Sequence, residues 1–112
     1  MSASTAGLGP KHQTECAQKF AELTEISLFG DVWKRTQLTP RESSVATVAA
    51  LVAMYRLEQL PFHLKRALDN GLGIAELDEL LTHLAFYSGW SKAASALNVL
   101  NELRTSTQTC QE

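Results

Sequence analysis

Five residues are the candidates for moving a proton or holding an anion: Arg56, Gln59, His63, His83 and Tyr87. An imidazole titrates near neutral pH, so His63 can give or take a proton under working conditions. Arg56 carries a guanidinium able to grip a carboxylate through two parallel hydrogen bonds. Gln59, between the two, can donate a hydrogen bond to the same ligand. His83 and Tyr87 share one helix face by their i, i+4 spacing, with His83 a second acid–base group and Tyr87 a donor. Plainer roles stand beside these. His63 can simply pack near a helix start, Arg56 can offset a helix dipole, and Gln59 can be a solvated turn residue. His83 and Tyr87 can form a half-buried polar pair between helices or subunits.

Other chemistries lack their residues. The three histidines, at 12, 63 and 83, do not have metal-ligand spacing, and neither a Gly-rich phosphate loop nor a Ser-His-Asp ordering is visible, so no metal or cofactor is expected. Cys16 and Cys110 sit near opposite ends and form no CxxC. They read as unpaired thiols of a reducing compartment, the alternative being a bridge that ties the two ends together. With 112 residues, 45% hydrophobic and 20% charged, the chain suits one small globular domain. Its net charge of −2 and lack of a basic run give no nucleic-acid signal. The longest apolar stretch, Val45 to Tyr55, is too short to span a bilayer. The small polar residues at the start contain no apolar signal region. A cytoplasmic location without membrane or nucleic-acid partners is the expectation.

The elements that must position these residues all read as helices. Residues 1–12 look like a disordered lead-in, 13–104 like one helical domain and 105–112 like a polar tail. Cys16, Phe20, Leu23 and Ile26 step by three or four, which predicts an amphipathic helix from Thr14 to about Phe29, stopped by Gly30. Trp33 is expected as a core anchor in the connector that follows. Thr39, Pro40 and Glu42 spell a capping box, opening a helix to about Glu58 that is apolar nearly all round from Val45 to Met54. Another helix begins at Pro61 and closes at Asn70-Gly71. Ile74 opens the next, with Leu77, Leu80, Leu81 and Leu84 inward and Glu76, Asp78 and Glu79 outward. It ends at Ser88-Gly89, and Ser91 caps an alanine-rich last helix. No strand pattern appears.

From Phe29 to Leu100 the chain resembles the carboxymuconolactone decarboxylase family. The resemblance runs through "FGDVWKRTQLTPRES", "VATVAALVAMYRLEQLPFHLKRALDNGLG", "ELDELLTHLAFYSGW" and "KAASALNVL", with "LPFHLKRALDNGL" and "AFYSGW" the most specific pieces. It implies an all-α, alkylhydroperoxidase D-like domain of about five helices that assembles as a homo-trimer or homo-hexamer. It also implies a cofactor-independent decarboxylase acting on a small carboxylated lactone in aromatic degradation, with His63 catalytic and Arg56, Gln59, His83 and Tyr87 binding substrate. The alternative is a non-catalytic helical oligomer that binds a small organic acid. The peroxidase branch of the superfamily carries Cys-x-x-Cys-x-x-x-His. Laying that histidine on His63 puts Arg56 and Gln59 where the cysteines would be, and neither can form a sulfenate or disulfide. Thiol peroxidase chemistry is therefore not expected. Two further departures are Ser43-Ser44, where the family commonly has Arg-Ser, and Ser91, where it commonly has proline.

Overall fold

A computed structural model describes residues 17–111, with side chains described through Ser106. The lead-in, His12, Cys16 and the Cys110 side chain lie outside the described residues. The chain is all-α. α1 (Gln18–Leu23) runs into a π-helical turn (Thr24–Phe29) and a short 3-10 turn (Val32–Lys34). Then come α2 (Pro40–Ala53), α3 (Leu60–Asp69), α4 (Ile74–Ser88) and α5 (Trp90–Gln111). No strand occurs among the described residues.

α2 starts where its capping box requires. The Thr39 hydroxyl accepts from the Glu42 amide at 3.1 Å, and the Thr39 amide donates to the Glu42 carboxylate at 2.8 Å. It stops at Ala53, short of the expected Glu58, because Tyr55 takes a left-handed conformation at φ 60°. Two contacts from α5 hold that corner. The Lys92 ammonium donates to the Ala53 carbonyl at 2.9 Å, and the Tyr55 hydroxyl lies 3.2 Å from that of Ser95. α2 is also less enclosed than its composition predicts. Val48, Leu51 and Val52 are buried, whereas Ala46, Ala50, Ala53 and Met54 remain exposed.

α3 closes with a Schellman motif. The Leu72 amide donates to the Ala67 carbonyl at 3.0 Å and the Gly71 amide to Leu68 at 3.2 Å, which needs the positive φ of 105° that Gly71 supplies. Leu72, just past the turn, is buried in the core. The carboxylate of Glu76 caps the start of α4 by accepting from the Gly73 amide at 2.9 Å, and it also pairs with Arg41 at the start of α2. Gly89 alone links α4 to α5, and these two helices share the most extensive packing in the molecule. Arg104 clamps them, its Nη2 donating to both oxygens of Asp78 at 2.9 Å. α5 begins at Trp90, ahead of the expected Ser91 cap. The polar residues read as a tail extend it to Gln111.

One core joins α2, α3, α4 and α5 through Val48, Val52, Leu60, Leu64, Leu77, Leu81, Ala96 and Leu100. Burying one such leucine stabilises the fold by roughly 1.5–3 kcal/mol. The N-terminal segment departs from the expected amphipathic helix. Phe20, Leu23 and Ile26 point outward at 52%, 50% and 69% exposure, and the residue buried in their place is Thr24. Its hydroxyl donates to the Phe20 carbonyl at 2.8 Å, and the backbone widens into the π turn from this residue onward. That turn packs on the 3-10 turn, which in turn packs on α2.

Candidate active site around His63

α3 turns His63 inward, because the hydrophobic stripe of Leu60, Leu64 and Ala67 fixes which face of the helix meets the core. The ring is 9% exposed and meets Phe62 edge-on, with centroids 5.0 Å apart. Burial lowers its pKa below the ordinary 6.5, and the positive charge of Arg66 lowers it further. At neutral pH the imidazole is therefore uncharged, with one nitrogen able to donate and the other to accept.

Arg66 is a site residue that the sequence reading missed. It lies one helical turn beyond His63, on the same face of α3. Its guanidinium carbon sits 4.7 Å from the Phe29 ring centre and 4.8 Å from that of Trp33. Those rings lie 6.2 Å apart and within 19° of parallel, so one cation faces two π surfaces. Trp33, expected as a core anchor, is half-buried and serves as a wall for this cation. Gly30 permits the approach from the preceding turn, since a Cβ there would stand 2.6 Å from the Ile26 carbonyl oxygen. The signal in the sequence was the i, i+3 spacing of His63 and Arg66. The aromatic half of the contact comes from more than thirty residues earlier, and spacing cannot reveal it.

The other predicted residues divide into two groups. Gln59 is half-buried at the start of α3, and its carbonyl accepts from the His63 amide at 3.4 Å, so the two share a helical turn. Arg56 lies in the connector before it, exposed and paired with Glu58 at 3.2 Å. His83 and Tyr87 stack on each other on α4 with centroids 4.9 Å apart, and Tyr87 is 75% exposed. Among the described residues no hydrogen bond, ion pair or ring contact joins this stack to His63. Ser44 is buried and accepts from the Asn70 amide nitrogen at 2.9 Å. Ser43, where the family commonly has arginine, is a half-buried hydroxyl. Among the described residues, no group of three or more His, Cys, Asp or Glu is placed to hold a metal ion. No described helix is long and apolar enough to cross a membrane.

The arrangement puts a neutral imidazole beside a cation with aromatic walls. Such a site can bind an anion and exchange a proton with it. Residues 18–102 match the model of the carboxymuconolactone decarboxylase family. Over 106 residues the chain is 31% identical to 4-carboxymuconolactone decarboxylase of Acinetobacter baylyi, covering 88% of this chain and 79% of that one. Over 78 residues it is 28% identical to nitrosuccinic acid decarboxylase of Metarhizium robertsii, covering 70% of this chain and 54% of that one. The match spans most of the folded helices and includes both His63 and Arg66, so this chain belongs to the carboxymuconolactone decarboxylase family.

Proposed function

We propose that the protein is a cofactor-independent carboxy-lyase acting on a small carboxylated lactone, with His63 as its acid–base group. The observation that carries this is the buried imidazole of His63, one turn from a cation, in a chain whose relatives are named as decarboxylases. When the carbon–carbon bond to the leaving carboxylate breaks, carbon dioxide departs and its bonding electrons pass into the unsaturated lactone as a dienolate. A proton must then reach carbon. His63 delivers it and recovers one from solvent, so the cycle needs no redox step. Arg56 and Gln59 flank the start of α3 and would hold the remaining carboxylate and the lactone carbonyl. His83 and Tyr87 would join the site across a subunit contact of a homo-trimer or homo-hexamer.

The test is carbon dioxide release from γ-carboxymuconolactone by the purified protein beside a His63→Ala variant. Turnover in the wild type and its loss in the variant is the expected result. Turnover unaffected by the substitution would remove His63 from the chemistry. One feature favours a second reading, a non-catalytic oligomer that binds a small organic acid: a hydroxyl at Ser43 where the family commonly supplies a cation. A folded wild type that binds small acids without releasing carbon dioxide would decide for it.

A further inference from the structure

We propose that Arg66 is a further carboxylate-recognition residue of the His63 site, beside Arg56, taking both oxygens of a small organic anion on the edge of its guanidinium. This rests on the small-acid reading above and names a residue that would select the acid. Arg41, Arg56 and Arg104 each already pair with a carboxylate, of Glu76, Glu58 and Asp78 respectively. The Arg66 guanidinium forms no hydrogen bond or ion pair with any described residue, and its Nε is buried without an acceptor; Arg104 Nε is also buried without one, but its Nη2 is held by Asp78. Buried donors in folded proteins are almost always satisfied, and leaving one unpaired carries a desolvation penalty. Burial also holds the Arg66 pKa below its usual value, against the opposing pull of Asp69.

Geometry indicates what would satisfy it. The two rings flank the guanidinium, their centres 4.7 and 4.8 Å from its carbon. Hydrogen bonds to a carboxylate lie in the guanidinium plane and leave its faces to aromatic rings. A carboxylate bound side-on to Nε and one Nη would satisfy the orphaned donor. Because Nε is covered, this contact requires the Phe29 and Trp33 walls to shift. They sit on two turns that pack on each other, the second of them also on α2. The Trp33 indole therefore reports on binding.

Succinate serves as the probe and neutral succinamide as the control, with Trp33 fluorescence read in a Trp90→Phe background. Succinate is expected to give a saturable change and succinamide none. Arg66→Gln is expected to weaken succinate binding roughly ten- to a hundredfold, the worth of hydrogen bonds to a charged group. Arg66→Lys keeps a cation over the rings but loses the planar fork. It should weaken binding with the helical circular dichroism unchanged, and it carries the test if the glutamine variant does not fold. Equal succinate affinity in the wild type and the lysine variant, or no saturable response in the wild type, would overturn the assignment. Lactone turnover separates the two ideas. Arg66-dependent succinate binding without turnover would sink the lyase and keep the anion site. Turnover with Arg66-independent binding would do the reverse.

Discussion

His63 responds to pH in two opposite directions. As a general acid it works from the imidazolium form, so kcat/KM should fall as pH rises through its pKa, with the inflection below 6.5 because burial and Arg66 disfavour the charge. A pH–rate profile with no inflection below 6.5 would argue against that role. Stability runs the other way. The folded pKa lies below the unfolded one, so the unfolded chain binds more protons in the window between them. Stability is full above about pH 6.5 and declines as pH falls through that window. Thermal melts of wild type and His63→Gln at pH 7.5 and 5.5 should show a larger acid-side loss in the wild type. His63 and Gln59 were legible as candidates because their residue types speak for themselves. Arg66 was not, because an arginine's meaning depends on what faces it, and here that is Phe29 and Trp33 from a distant segment.

Helix starts were easier to read than helix ends. The Thr39–Glu42 capping box is a local bargain between adjacent residues, and it forms as the sequence spells it. Thr39→Ala should therefore cost about 1 kcal/mol, lowering Tm by about 4 °C in a domain of this size. An unchanged melting temperature would mean the box does not anchor α2. The end of α2 is not local. Tyr55 leaves the helix although its neighbours permit continuation, and the contacts at that corner come from Lys92 and Ser95 on α5. The N-terminal pattern misleads for the same reason. Periodicity at Phe20, Leu23 and Ile26 announces an apolar face without saying what covers it, and all three stay at least half exposed among the described residues.

At the scale of the molecule, the all-α class followed from the helical repeat of apolar residues and the absence of any alternating stretch. Assembly did not, since a single chain shows only what assembly would cover. Phe86 and Trp90 meet edge-to-face yet stay 76% and 70% exposed, and Phe20, Leu23 and Ile26 add a second outward apolar group. Exposed apolar groups of this kind mark contact surfaces. Sedimentation should show a trimer or hexamer, and Ile26→Glu or Trp90→Glu should shift it toward smaller species. A wild type running at the mass of one chain would end that expectation.

The separateness of the N-terminal segment has a kinetic side. α2 through α5 interlock in one core, so their central amides should exchange with deuterium only when the whole domain opens. α1 and the π turn bury little and should exchange by local opening at a lower free energy. Phe29, which roofs Arg66, belongs to that faster unit. The rate at which an anion gains the covered side of that guanidinium would then be set by the breathing of a segment that contributes little to the core.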